Sequence, residues 1–201
     1  MKKKSLNAKK KTLKKISKFL SNKFISKIYN QFEKNLYQTK SSLVAISGGP
    51  DSLALAFLAN CYSIKNNVKF IYITVDHKLR KNSSLEAKKT INILKKFNIN
   101  CKILVWKGRK PKSNIQALAR YNRYSLILKE CEKHKINTIL LGHQMDDLKE
   151  NFFLRMTRGS GLKGLVSLGE YSEVYNVKLL RPLINIEKKE LIKLSLNVFN
   201  T

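Results

Sequence analysis

From Ser42 onward, short apolar runs alternate with longer stretches whose apolar residues recur at helical spacing. This alternation is typical of a parallel sheet built from βαβ units, since each crossover between parallel strands needs a helix that covers the sheet. The sequence therefore predicts an α/β fold with a Rossmann-like parallel sheet. Right-handed crossovers gather the following loops at the carboxyl edge of such a sheet, where a ligand site is expected.

The predicted strands are Leu43–Ile46, Val68–Val75, Cys101–Val105 and Thr138–Leu141, with a fifth near Val177–Leu180. The predicted helices are Ser52–Cys61, Ser84–Phe97, Asn114–His134 and Asp146–Met156, and a last helix begins near Ile186.

Residues 1–38 differ in composition from the rest and are predicted to form a basic N-terminal extension, with residues 39–201 as the main domain. Eleven lysines precede the first acid, Glu33, and apolar residues recur at helical spacing between Leu13 and Phe32. This pattern predicts an amphipathic basic helix behind a disordered Lys-rich tip. Such a helix either contacts phosphates or packs its apolar stripe on the domain and leaves its lysines in water.

The formal net charge of +28 favours an extended polyanion, such as nucleic acid, as the partner. The alternative is a surface loaded with lysine that has no partner.

Three cysteines, Cys61, Cys101 and Cys131, lack the paired spacing of zinc sites, iron–sulfur sites or disulfide frameworks. No apolar stretch approaches the length of a membrane span, so a cytoplasmic protein without a membrane segment is expected.

The run Ser47–Ser52 follows the first predicted strand and opens the next helix. Gly48 and Gly49 permit a tight turn that approaches a bound anion, while Ser47 and Ser52 offer hydroxyls. Amides at the start of the helix favour a phosphate. The run lacks the spacing of the common P-loop and of dinucleotide folds, and short Gly/Ser turns also occur without any ligand.

Two further polar clusters follow predicted strands, at Asp76-His77 and at Gly142-His143 with Asp146-Asp147. The first either binds a nucleotide and assists proton transfer, or holds an Asp that caps a turn beside a surface His. The second places two acids at the start of a helix, where the helix dipole stabilises them. Their position beside a His favours a role in metal and substrate binding. Asp51 is a hard oxygen ligand for a divalent ion or a helix cap.

Ser47–Ser52 resembles the S-G-G-x-D-S loop of the PP-loop ATP pyrophosphatases at every fixed position. Six segments then follow the order and spacing of the tRNA(Ile)-lysidine synthetase family, between about Ser42 and Leu194. They are Ser47–Ser52, Val75–Arg80, Asn114–Tyr121, Leu141–Asp147, Arg158–Gly161 and Arg181–Leu183.

This resemblance implies a two-step reaction with ATP and Mg²⁺ on the wobble cytidine of a tRNA(Ile) with a CAU anticodon. ATP adenylates the cytosine carbonyl oxygen and releases pyrophosphate, and the side-chain amine of free L-lysine then displaces AMP. A homodimer is also possible.

By position, the nucleotide-binding residues would be Ser47, Gly48, Gly49, Pro50, Asp51, Ser52 and Gly142. The metal ligands would be Asp51 and Asp147, and the catalytic residues would be Asp51, His77, His143, Asp147 and Arg120. Arg158 and Gly159-Ser160-Gly161 would shape the lysine or tRNA side.

The sequence departs from the family where Gln144 replaces a frequent second His, and at Leu148–Asn151. It also stops at Thr201, where family members continue with C-terminal domains, so either a fragment or a minimal form is expected. Two alternatives remain. One is a PP-loop tRNA thiolation enzyme, which would need suitably placed cysteines. The other is a truncated, non-catalytic domain that binds nucleotide or RNA.

Overall fold

The computed structural model of the chain describes residues 13–14, 16–36, 40–108, 115–150, 171–174 and 176–200. The strands are β1 (Ser41–Ile46), β2 (Lys69–Asp76), β3 (Cys101–Val105), β4 (Thr138–Leu140), β5 (Tyr171–Val174) and β6 (Val177–Leu180). The helices are α1 (Lys23–Asn35), α2 (Pro50–Asn66), α3 (Ser83–Lys95), α4 (Ile115–His134) and α5 (Lys188–Phe199). Residues 16–20 and 145–150 are also helical.

The six strands form one sheet in the order β3-β2-β1-β4-β6-β5. Every neighbouring pair is parallel except β5 with β6. The predicted Rossmann-like α/β fold is therefore confirmed, and the five predicted strands agree with β1, β2, β3, β4 and β6 within two residues. The order of the chain reverses between β1 and β4, which is where open parallel sheets form their ligand crevice.

The antiparallel edge strand β5 was not predicted. It pairs with β6 through a two-residue connection whose second residue, Asn176, has φ +60°. Asn tolerates this left-handed conformation, which two-residue hairpins require. The strand has only four residues and carries polar Ser172 and Glu173, so it lacks the apolar run by which the buried strands were recognised.

Two apolar clusters cover the two faces of the sheet, because successive side chains of a strand point to opposite sides. Val44 and Ile46 pack with α1, α2 and α5 on one face. Leu43 and Ile73 pack with α4 on the other, where Ile127 is almost fully buried. A central parallel strand covered on both faces carries a continuous apolar run, as Leu43–Ile46 does within β1.

Helix α2 carries the loop that follows β1 and is buried continuously from Ser52 to Tyr62. It lies between the sheet and its neighbours α1 and α5. At its centre the fully buried Phe57 ring makes edge contacts with Phe19, Phe97 and Phe199, at centroid distances of 5.6, 6.0 and 6.4 Å. A helix held on all sides in this way gives the loop at its start a rigid base.

Helix α1 begins at the N-cap Asn22, whose side chain accepts hydrogen bonds from the amides of Phe24 and Ile25 at 3.0 and 3.3 Å. Its apolar stripe, including Phe32, is buried in the same cluster as α2. The amphipathic helix therefore packs on the domain. Phosphate contact by its lysines and a domain boundary at residue 38 remain predictions, and the Lys-rich tip lies outside the described residues.

In the described ranges, no helix combines the length and apolar character needed to cross a bilayer.

Replacing Phe32 with Ala should lower the free energy of unfolding by about 3 to 5 kcal/mol, because the substitution leaves a cavity between α1 and α2. Phe32 is fully buried, with its ring 6.4 Å from that of Tyr62. Urea unfolding measures the change. Lys34→Ala on the exposed side of α1 is the control and should stay within about 0.5 kcal/mol of wild type. A similarly small effect of Phe32→Ala would contradict the packing of α1.

Candidate active site at the carboxyl edge of the sheet

The turn between β1 and α2 is organised around the hydroxyl of Ser52. This oxygen accepts hydrogen bonds from the Gly48 amide at 3.0 Å and the Ser47 hydroxyl at 3.2 Å, and donates to the Gly49 carbonyl at 2.8 Å. The three bonds close residues 47–52 into a compact loop. The Ser52 hydroxyl thus shapes the loop from within.

Gly48 cannot be replaced without strain. Its φ is +94°, and a Cβ at this position would lie 2.6 Å from Thr90 Oγ1 on α3. Gly49 caps α2 and Pro50 occupies the first turn. The amides of Asp51 and Ser52 follow at the start of the helix, where no preceding turn supplies an acceptor. The arrangement is suited to a phosphate group.

Asp51 lies half-buried in this first turn, and its Oδ1 is buried without a hydrogen-bond partner among the described residues. Burial raises the pKa of Asp51 above its usual value. The positive charge of Lys188 opposes this shift, while the negative charges of Asp147 and Asp146 add to it. A divalent cation would supply the missing partner of this carboxylate oxygen.

The loop that follows β4 lies directly against the start of α2. A Cβ at Gly142 would be 3.2 Å from Ser52 Cα and 3.3 Å from the Ser52 amide nitrogen. The absence of a side chain at residue 142 therefore permits the close approach. This contact brings the second polar cluster beside the first, as expected for loops at the carboxyl edge of one sheet.

Gln144 and Asp147 cap the helical turn that begins at residue 145. Asp147 Oδ2 accepts from the Gln144 amide at 3.0 Å, and Gln144 Oε1 accepts from the Asp146 amide at 2.6 Å. Gln144 is almost fully buried and forms a β-bridge with Leu183. The residue that departs from the family pattern thus has a structural role here, and Asp147 serves as a cap as well as a candidate ligand.

The segment between β6 and α5 forms a third side of the site. The Met145 amide donates to the Ile186 carbonyl at 3.1 Å, which fixes this segment to the loop after β4. Lys188, the first residue of α5, comes within electrostatic reach of Asp51. Lys188 was not predicted, because nothing in the sequence distinguishes it from the many other lysines.

His143 lies close to three arginines. Burial lowers the pKa of its imidazole, and the charges of Arg181, Arg120 and Arg123 lower it further, against an opposing effect of Asp147. The ring is therefore neutral near pH 7 and is able to accept a proton. Arg123 and Arg181 were not predicted as site residues, although Arg181 stands in one of the segments that carry the family resemblance.

His77 is contacted by Arg123, whose Nε donates a hydrogen bond to His77 Nε2 at 3.3 Å. The bond requires a neutral ring that carries its proton on Nδ1. Burial lowers the pKa of His77 and the charge of Arg123 adds to this, while Asp76 opposes both. Arg123 thus joins the loop after β2 to the first half of α4.

Asp76 has a structural role. Its Oδ1 accepts from the Lys78 amide at 2.9 Å and the Ser83 hydroxyl at 2.7 Å, and its Oδ2 accepts from the Ser84 hydroxyl at 2.5 Å. Burial alone would raise the pKa of Asp76, but these hydrogen bonds lower it overall. The carboxylate therefore shapes the β2–α3 loop, which agrees with the alternative that it caps a turn.

Of the remaining predicted residues, Arg120 is described by the structure and the others are not. Arg120 is exposed, with its guanidinium 5.4 Å from the centroid of the Tyr124 ring. Asn114, Arg158 and the turn at Gly159-Ser160-Gly161 lie outside the described residues. Among the residues that are described, no three His, Cys, Asp or Glu side chains are grouped so that they would hold a metal ion by themselves.

Gly48→Ala should reduce the free energy of unfolding by about 1 to 3 kcal/mol, because Ala is strained at positive φ and contacts Thr90. Gly49→Ala is the matched control. Its φ is −75°, and the nearest atom to an added Cβ is Ser47 Oγ at 3.9 Å, so it should stay within about 1 kcal/mol of wild type. Urea unfolding distinguishes the two, and equal effects would contradict the geometry of the loop.

Arg123→Gln should raise the pKa of His77 toward its usual value of 6.5, because the neighbouring cation is removed. In the wild type the folded-state pKa lies below the unfolded one. The neutral His77 ring therefore stabilises the folded state above about pH 6.5. This stabilisation is lost as the pH falls through the pKa of His77 in the folded state. A pH titration followed by NMR measures the pKa. Lys129→Gln, an exposed charge on the same helix, should leave it unchanged.

The family model of the PP-loop domain matches residues 20–197. The chain is 41% identical over 150 residues to the tRNA(Ile)-lysidine synthase of Orientia tsutsugamushi (strain Boryong), a match that covers 75% of the chain and 34% of that protein. It is 38% identical over 172 residues to the tRNA(Ile)-lysidine synthase of Rickettsia akari (strain Hartford), covering 83% of the chain and 40% of that protein. The chain thus spans between about a third and two fifths of the length of these curated relatives.

Two solved structures share the fold. The U34-tRNA thiolase NcsA from Methanococcus maripaludis, solved with its 4Fe-4S cluster, has a TM-score of 0.73 at 21% identity, covering 87% of this chain and 65% of that chain. The FMN adenylyltransferase of Candida glabrata in complex with ATP has a TM-score of 0.53 at 14% identity, covering 94% and 63%. Because the PP-loop model matches most of its length, the chain belongs to the PP-loop domain family.

Proposed function

We propose that the chain is the ATP-using portion of a tRNA(Ile)-lysidine synthase. It would ligate L-lysine to the wobble cytidine of a tRNA(Ile) with a CAU anticodon. The observation that carries the proposal is the 38% to 41% identity to proteins of that name across at least three quarters of the chain. The loops at the sheet edge support it, since the reaction needs a pyrophosphate site beside acid and base groups.

The first step forms a bond between the cytosine carbonyl oxygen and the α-phosphorus of ATP as the bond to pyrophosphate breaks. The Ser47–Ser52 turn and the amides of Asp51 and Ser52 fit the leaving pyrophosphate, because backbone donors and a helix dipole stabilise its charge. Gly142 permits the close approach of the second loop to this position. In the second step the lysine amine attacks the activated carbon and AMP leaves.

The residues present fit Mg²⁺. Asp51 supplies a buried oxygen without a partner, and Asp147 and Asp146 lie within electrostatic reach of it. Protein sites commonly hold Mg²⁺ with one or two carboxylates together with substrate phosphates, so Asp51 and Asp147 would suffice as ligands. When bound, the ion neutralises negative charge that develops on the phosphates. Asp147 would hold the ion while its Oδ2 also accepts from the Gln144 amide.

His143, His77 and Arg120 suit the second step. The lysine side chain must lose a proton before its amine attacks, and a neutral imidazole can accept that proton. His143 is neutral because burial and the adjacent arginines lower its pKa. Arg120 would line the nucleotide or the adenylated cytidine. His77, held neutral by Arg123, would contact the base or the nucleotide.

A thiolation enzyme of the same fold is the alternative, since one structural neighbour is a U34-tRNA thiolase. The three cysteines do not favour it. Cys101 opens β3 and Cys61 and Cys131 lie in the second halves of α2 and α4, toward the amino edge of the sheet and away from the loops. Burial raises the pKa of Cys61 and Cys101 to about 12 and that of Cys131 to about 11. Cys61 and Cys131 also pack on opposite faces of the sheet.

The proposal places the protein in the cytoplasm, where ATP and tRNA are present, and it allows for a homodimer, which sedimentation analysis would detect.

The direct test incubates the chain with ATP, Mg²⁺, labelled lysine and a tRNA(Ile) transcript with a CAU anticodon. Label should pass to the tRNA with release of one pyrophosphate for each lysine. Asp51→Ala should lower pyrophosphate release by about 100-fold or more, because a charge-stabilising group is removed. Its tRNA affinity should stay within about twofold, since tRNA binding depends on many phosphate contacts.

Glu132→Ala, an exposed acid at the far end of α4, is the control and should retain full activity. Modification that depends on a sulfur donor instead of lysine would refute the ligase assignment. An equal loss of tRNA binding in Asp51→Ala would refute the role given to Asp51.

A further inference from the structure

Arginine is sparse in this chain and is not distributed like lysine. Seven of the 41 basic residues are arginine. The four that the structure describes all follow the carboxyl ends of strands: Arg80 after β2, Arg120 and Arg123 in the first half of α4, and Arg181 directly after β6. Lysine occurs on every helix. Since a guanidinium binds a phosphate through two parallel hydrogen bonds and an ammonium does not, this placement indicates phosphate recognition at the edge.

Tyr121 follows Arg120 on α4 and is 70% exposed. With about 100° of rotation per residue, its side chain leaves the helix about 100° from that of Arg120 and about 160° from that of Arg123. An aromatic ring in water loses the large apolar contribution that it makes when it packs. The rings of Phe57, Phe97 and Phe199, in contrast, are buried together in the core. An exposed ring next to a cationic side chain is the arrangement by which proteins stack on the bases of single-stranded RNA.

The two neighbouring guanidinium groups are held by uncharged partners. Arg120 lies over the Tyr124 ring, and Arg123 donates to a neutral His77. These contacts orient the side chains and leave their positive charges uncompensated by the groups that hold them. Both charges also act on His143, so this part of α4 is continuous with the candidate active site.

We infer that Arg123, Arg120 and Tyr121, which follow one another in this order around the start of α4, form an RNA-binding strip for the nucleotides that adjoin the target cytidine. Tyr121 stacks on a flanking base, and the two arginines contact the neighbouring phosphates. The inference rests on the proposed function for the identity of the RNA. A second copy of the chain is the less suitable occupant, since two surfaces of a protein with net charge +28 repel each other.

The test measures binding of the full chain to a synthetic anticodon stem-loop with a CAU loop. The base beside the target cytidine is replaced by 2-aminopurine, whose fluorescence is quenched by stacking. Tyr121→Ala should weaken binding by about 5- to 100-fold and abolish the protein-dependent quenching, because one base loses its aromatic partner. Tyr121→Phe keeps the ring and should bind within about twofold of wild type.

Leu196→Ala is the matched control, because Leu196 is 50% exposed on α5, across the sheet from α4. It should leave affinity and quenching unchanged. A stem-loop that lacks the flanking base should bind wild type and Tyr121→Ala equally, since the stacking partner is then absent from both complexes.

Equal affinity of wild type and Tyr121→Ala for the intact stem-loop would overturn the inference. So would a change in dimer dissociation in Tyr121→Ala without a change in RNA affinity, which would make a second copy the occupant. Lysine transfer is measured in parallel. Transfer together with Tyr121-independent binding refutes the strip alone, while Tyr121-dependent binding without transfer refutes the ligase proposal alone.

Discussion

The contact between Gly142 and the backbone at Ser52 determines how the candidate site is assembled. It occurs at the ends of β1 and β4, the two neighbouring strands between which the order of the chain reverses. Because residue 142 has no side chain, the second loop approaches the first turn of α2 to van der Waals distance. The helical turn from residue 145 then starts beside Asp51, and the carboxylates of Asp146 and Asp147 come within its electrostatic reach.

The loop at Ser47–Ser52 is held in place by the packing of the helices around it. Helix α2 is buried along most of its length, and Thr90 of α3 fills the space that a side chain at residue 48 would need. A backbone ordered before the ligand arrives loses little conformational freedom on binding. The packing of α1 and α5 against α2 therefore makes the loop rigid, and a rigid loop favours nucleotide binding.

Charges around the loops are partly grouped by sign, although Lys188 acts on Asp51 and Asp147 acts on His143. Asp51, Asp146 and Asp147 gather where a divalent cation and pyrophosphate would bind, while Arg120, Arg123 and Arg181 surround His143. The acidic side suits a metal-bound nucleotide, and the basic side suits the RNA that carries the target base. The two histidines lie on the basic side, where burial and neighbouring cations lower their pKa values and favour the neutral ring.

Local patterns in the sequence determined the elements of the fold and the loop at Ser47–Ser52, because apolar runs, helical spacing and a Gly-rich turn are properties of adjacent residues. The convergence of strand-end loops could also be anticipated, since parallel strands end at one edge.

The edge strand β5 could not be anticipated from the sequence, because it is short and partly polar. The role of Asp76 as a turn cap was only one of two possibilities until Ser83 and Ser84 were seen to contact it. Lys188, Arg123 and Arg181 emerged only from the tertiary structure, since a basic side chain has the same character everywhere in a sequence. Its function depends on which distant groups the fold places beside it.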